Sequence, residues 1–110
     1  MTDKIVVLCT CASSADGERL ARELVTGRLA ACVSVVPGMR SFYRWQGEIE
    51  ASDECLLLIK TSRDLFPALT GAIESIHPYE VPEILALPVV DGSENYLHWF
   101  ADNLRQGEAQ

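Results

Sequence analysis

Ser75-Ile-His-Pro-Tyr-Glu-Val-Pro-Glu83 is where a helical pattern stops and an apolar strand pattern starts. Pro78 pushes His77 out of the helical region toward extended backbone. Pro82 fixes a second φ and removes a backbone donor. The corner is therefore stiff, and it carries one of the chain's two histidines. An imidazole held there suits a ligand or a proton donor, and it equally suits a plain helix end. Before the corner, Leu65, Phe66, Leu69, Ala72, Ile73 and Ile76 recur at helical spacing. Ser62 or Asp64 is the expected cap, and Pro67 falls in the first turn, where a missing N–H costs little. After the corner, Ile84 to Val90 reads as a strand, and Pro88 marks it as an edge.

The rest of the chain supplies the partners of this unit. Lys4 to Thr10 is apolar on both faces, as a central strand is. Leu20, Ala21, Leu24, Val25 and Leu29 set the apolar stripe of a first helix, from about Asp16 to Arg28, capped by Ser13 or Ser14. Ala31 to Val36 is a second strand, broken by Pro37-Gly38, which marks a bulge or bend. It resumes as Arg40 to Trp45. Gln46-Gly47 is a tight turn, and Glu48 to Lys60 returns, acidic at first and then apolar on both faces through Cys55-Leu-Leu-Leu-Ile59. Asp91-Gly92 turns the chain into a last helix, capped by Ser93 or Asn95, with Tyr96, Leu97, Trp99, Phe100 and Leu104. Gln106 to Gln110 reads as a frayed tail.

The order is β-α-β-β-α-β-α. Two β-α-β units joined by a hairpin make an α+β, ferredoxin-like βαββαβ sandwich with an extended hairpin and a C-terminal helix. Right-handed crossovers put the first and third strands in the middle, and those are the two runs apolar on both faces. The topology also brings the end of the first strand, Cys9-Thr10-Cys11, to the rim where His77 and Tyr79 sit.

With 110 residues, one domain spanning residues 1–110 is the expectation. A hydrophobic fraction of 48% allows a core without staples. The net charge of −7 argues against a nucleic-acid partner, which needs clustered Lys and Arg. Cys9, Cys11, Cys32 and Cys55 read as reduced thiols of a cytoplasmic protein, because no export signal accompanies them. No window approaches the roughly 18 apolar residues of a membrane span.

Val7-Leu-Cys-Thr10, Leu29-Ala-Ala-Cys-Val33, Pro37-Gly38 followed by Ser41-Phe-Tyr-Arg-Trp45, Leu58-Ile-Lys-Thr61, His77-Pro-Tyr-Glu-Val-Pro-Glu83, Ala86-Leu-Pro88 and Tyr96-Leu-His-Trp99 occur in the order found in the CutA divalent-cation tolerance family, which the chain resembles. The resemblance implies a subunit related in architecture to the PII signalling proteins, assembled as a homotrimer. It implies binding of copper and other divalent metals, with zinc as a possible alternative, and a link to cation tolerance. By position, the family's metal-associated cysteine falls on Cys9 and its histidine on His77. Some members carry a second histidine immediately before; here that position is Ile76, which removes one ligand.

The residues by themselves leave alternatives open. Cys9 on a central strand reads as a small core hydrophobe as readily as a ligand. Cys32 and Cys55 lie in apolar runs and read as core. His77 is equally a helix end cap, and His98 reads as a packing or surface residue. Cys11 shares a face with Cys9 only if the strand extends that far. A thiol with an imidazole suits Cu or Zn better than Mg or Ca. Two protein ligands make an open site, completed by Cys11, Glu80, water or a neighbouring subunit. Two function classes follow: a non-catalytic metal-binding protein of cation tolerance, or a PII-like regulatory module that binds a small molecule at clefts between subunits. No Ser-His-Asp signature, phosphate loop or H-E-x-x-H suggests an enzyme. The aromatic hairpin Met39 to Asp53 is too long to stand alone, which predicts a symmetric oligomer.

Overall fold

A computed structural model describes residues 2–106; of the expected tail, Gly107 to Gln110 lie outside the described residues. The elements run β1 (Lys4–Cys11), α1 (Ser14–Thr26), β2 (Cys32–Trp45), β3 (Glu48–Ser62), a 3-10 turn (Arg63–Leu65), α2 (Phe66–Ile76), β4 (Leu85–Pro88) and α3 (Glu94–Asp102). The four strands form one antiparallel sheet in the order β2-β3-β1-β4. This is the ferredoxin-like sandwich expected from the sequence, with β1 and β3 central. Pro88 lies on the edge strand β4, as expected of a residue that cannot donate to a ladder.

Local chemistry sets the ends of these elements. Ser13 caps α1 by accepting the Asp16 N–H at 3.2 Å, and Ser93 caps α3 by accepting that of Tyr96 at 3.3 Å. The first helix stops at Thr26, two residues before the expected Arg28, because Arg28 takes a left-handed φ of 58°. Neither expected cap serves α2. Instead, the Ser62 hydroxyl donates to the Asp64 carboxylate at 2.6 Å, and a 3-10 turn leads in, with Pro67 in the first turn of the helix. The last strand is shorter than expected, Leu85–Pro88, and Pro78 to Ile84 carry no regular structure.

Gln46 and Gly47 both have positive φ, 51° and 83°, as a tight hairpin turn between twisted strands requires. At Pro37-Gly38 the β2–β3 register slips by one residue between Val36 and Met39. Gly38, at φ 81°, supplies the left-handed backbone of that bulge. The hairpin beyond it extends past the sheet, with Phe42, Trp45 and Ile49 exposed.

Strand alternation sorts the sheet into two faces. Ile5, Val7, Cys9 and Cys11 of β1 join Cys55, Leu57 and Ile59 of β3 under Leu20 and Leu24 of α1 and Leu69 and Ile73 of α2, forming one buried core. On the other face, Val6, Leu8, Leu56 and Leu58 stand beside Val36, Leu85 and Leu87, of which the last three are exposed. Neither α1 nor α2 covers this face. Among the described residues, α3 closes the Lys4 end of the sheet. Its buried Phe100 sits beneath the Lys4 ammonium, and the Arg28 guanidinium donates to the Asp102 carbonyl at 2.6 Å.

Candidate functional site

The stiff corner delivers its imidazole to the rim of the sheet. His77 closes α2 by donating its N–H to the Ile73 carbonyl at 2.8 Å. It then turns to extended backbone, φ −72° and ψ 134°, as a residue before proline should. Its ring is buried and fully engaged. The Tyr79 N–H donates to Nδ1 at 3.1 Å. Because Nδ1 accepts, the proton sits on Nε2, which donates to the Thr10 carbonyl at 2.7 Å. The same nitrogen lies 3.7 Å from the Cys11 sulfur. Strand β1 and the helix-two exit therefore do meet at one rim.

The thiol nearest the imidazole is Cys11. Cys9, the position implied by the resemblance, is fully buried in the core, and its sulfur lies 3.9 Å from the Thr10 carbonyl. Because β1 runs to Cys11, both sulfurs share the helix-side face. Hydrogen bonding couples them. The neighbouring Cys11 sulfur, with burial, pushes the Cys9 thiol well above the ordinary thiol range. The same interaction lowers Cys11, against the opposing effect of its own burial. Cys55 is directly opposite Cys11 in the β1–β3 register, and burial pushes its thiol up. Cys32 is remote, on β2, with Lys60 Nζ 3.7 Å from its sulfur. His98 takes no part in the rim.

By distance, Cys11 and His77 fit one ion: a sulfur at about 2.3 Å and a nitrogen at about 2.0 Å on a tetrahedral centre lie roughly 3.5 Å apart. To ligate, Nε2 must give up its proton and its hydrogen bond to Thr10, and with the proton then on Nδ1 the Tyr79 N–H loses its acceptor as well. Among the described residues, no group of three or more His, Cys, Asp and Glu stands ready to hold a metal ion. Two side chains fall short of the four ligands of a closed tetrahedral centre.

On the opposite face of the same rim, an open cleft of about 730 Å³ runs between the hairpin and the corner, with Thr10, Tyr43, Trp45, Glu54, Tyr79 and Glu80 among its walls. The Tyr79 hydroxyl donates to Glu54 Oε2 at 2.7 Å and ties the corner to the base of the arm. Burial first, and then the neighbouring Glu54 carboxylate, push the Tyr79 hydroxyl above its ordinary value of 10.0. A raised acid stabilises the fold in its protonated form. That contribution is complete below pH about 10 and is lost as pH rises further. Tyr79→Phe is expected to lower stability by about 1 kcal/mol at neutral pH. It should also flatten the loss of stability above pH 10, which urea midpoints at pH 7 and pH 10.5 would measure.

Sequence reading missed both Cys55 beside Cys11 and the Tyr79–Glu54 tie. Each contact joins strands or loops whose register no turn sets, so residue type was the only signal available.

Comparison with known proteins places this geometry. The family model described as CutA1 divalent ion tolerance protein matches residues 5–103. The divalent-cation tolerance protein CutA of Thermus thermophilus is 49% identical over 89% of this chain and 95% of its own length. Protein CutA of Mus musculus is 49% identical over 82% of this chain, which spans about half (51%) of that relative's length. A crystal structure of CutA1 from Oryza sativa superposes with a TM-score of 0.93 at 41% identity, covering 94% of this chain and 95% of that one.

Proposed function

From the premise that the chain belongs to the CutA1 divalent ion tolerance family, we propose that it binds a soft divalent cation, copper before zinc, without catalytic turnover, as part of the cell's tolerance of such ions. The observation that carries this reading is the 3.7 Å approach of the Cys11 sulfur to His77 Nε2 at the end of β1. A thiolate and an imidazole are the donor pair preferred by Cu and Zn over Mg and Ca. The ligands are His77 and a β1 thiol. Cys11 has proximity in its favour, and Cys9 stands one pleat behind it at the position indicated by the family resemblance. The ion replaces the thiol proton, so uptake rises with pH.

We further propose a homotrimer. The sheet face away from α1 and α2 carries half-buried Val6, Leu8, Leu56 and Leu58 beside exposed Leu85 and Leu87, next to an arm with Phe42 and Trp45 exposed, and contiguous exposed apolar side chains of this kind mark interaction surfaces. Burying that face against its copies removes it from water.

Calorimetric titration with Cu(II) and Zn(II) tests the site. His77→Ala, and one of Cys11→Ser and Cys9→Ser, are expected to weaken Cu(II) binding at least tenfold, about 1.4 kcal/mol. The cysteine variant that does so identifies the sulfur ligand. Unchanged binding in all three variants removes the site.

The cleft of about 730 Å³ favours a second reading, a small molecule held between the hairpin and the corner, as in a PII-like regulator. A metabolite screen by thermal shift tests it, because a ligand of the native state raises the melting temperature. A screen without any such shift discards it.

A further inference from the structure

Cys9, Cys11 and Cys55 form a cluster of free, buried thiols on the helix side of the sheet. Strand geometry discriminates among their three possible pairings. Cys9 and Cys11 are two residues apart on one strand. Their Cα atoms are therefore about 6.7 Å apart with parallel Cβ vectors, at the far limit of what a disulfide spans. Cys9 and Cys55 are diagonal across the ladder, about 7–8 Å apart, beyond that limit. Cys11 and Cys55 are direct register partners. Facing residues in an antiparallel pair have Cα atoms about 4.5–5.5 Å apart, inside the range a disulfide needs.

We propose that Cys11 and Cys55 are an oxidation site, forming a cross-strand disulfide between β1 and β3 when the protein meets a peroxide. Access is on the Cys55 side. Its sulfur donates to the Ser13 carbonyl at 3.3 Å and borders an open surface depression of about 390 Å³ with Ala12, Ser13, Gly38 and Asp53. In the first step the Cys55 sulfur attacks the peroxide. An S–O bond forms, the O–O bond breaks, and one water leaves with the thiol proton. In the second step the Cys11 sulfur attacks the Cys55 sulfenic sulfur. The S–S bond forms, the S–O bond breaks, and a second water leaves with the Cys11 proton. Two thiols lose two electrons and one peroxide becomes two waters. The bond needs no change of strand register, and it takes away the sulfur nearest His77.

The test uses the full chain. Reduced protein is treated with hydrogen peroxide, denatured, and blocked with N-ethylmaleimide before mass analysis. The four thiols are expected to fall to two, within a single chain on a non-reducing gel. Tryptic digestion should yield the segment 5–19 joined to the segment 45–60, with fragmentation placing the bond on Cys11. Cys9→Ser should keep the link, and Cys55→Ser should abolish it. Four surviving thiols, a bond inside segment 5–19, or a link only between chains would overturn the pairing. If either variant fails to fold, the thiol count and fragment spectrum of the wild-type protein decide alone. The pairing does not depend on the ion reading, and copper titration and link mapping fail separately.

Discussion

Leu58→Arg is expected to convert the proposed homotrimer into monomers while leaving the subunit folded. Leu58 stands in the middle of the uncovered sheet face, with Leu8 of β1 and Ser34 of β2 as its register partners. In the monomer it is half-buried, so a long cationic side chain can lean outward and keep its head in water. In an assembly that closes this face, the guanidinium would be buried among leucines with no carboxylate in reach. A buried unpaired charge costs several kcal/mol. Even about 2.8 kcal/mol weakens association a hundredfold. Sedimentation at micromolar concentration would show a trimer for the wild-type protein and a monomer for Leu58→Arg, with unchanged far-UV circular dichroism. Arg22→Glu, on the solvent side of α1, serves as the control and should leave the mass unchanged. A monomeric wild-type protein would refute the assembly, and a trimeric Leu58→Arg would place the interface on some other surface.

The second large effect is expected inside the core. Gly17 is buried on the face of α1 that meets the sheet. A Cβ added there would stand 2.9 Å from the Cys55 sulfur and 3.2 Å from Leu57 Cδ2. These are short core side chains on a central strand, and close-packed interiors yield little. Gly17→Val should therefore destabilise the protein by about 3 kcal/mol, the upper end of ordinary overpacking. Gly17→Ala should cost less, because about 1 kcal/mol of gained helix propensity offsets the clash. If the sulfur is the obstacle, Cys55→Ala opens the space. Gly17→Ala in that background should then be close to neutral, a coupling of about 1 kcal/mol or more in a double-mutant cycle. Additive effects of the two substitutions in urea unfolding would mean that Leu57 or the helix backbone, not the sulfur, resists the added group.

Gly17 illustrates how much of the candidate site was legible. The helical stripe of α1 was readable, since Leu20 and Leu24 do face the core. Hydrophobic periodicity says which face of a helix is buried but not how closely it lies on the sheet. That distance depends on side chains from β2 and β3, and at Gly17 it leaves no room for a methyl group. The rim follows the same logic. Pro78 after His77 was enough to predict an extended His77 at the helix end, and the topology was enough to bring it to the end of β1. Which sulfur it meets depended on one pleat. Strand β1 runs one residue further than expected, to Cys11, and the ring reaches that residue's sulfur and the carbonyl of Thr10.

Local chemistry written in the sequence determined the elements, their order and the two-sided burial of β1 and β3. Side-chain periodicity, proline and glycine act over a few residues and need no partner to be read. The tertiary structure alone decided the alignments that no turn sets: Cys55 across from Cys11, and Tyr79 within reach of Glu54. The physical reason is that strands joined by a crossover have no turn to set their alignment, so the packing of the whole core selects it. A shift of a single residue moves every side chain of a strand to the other face.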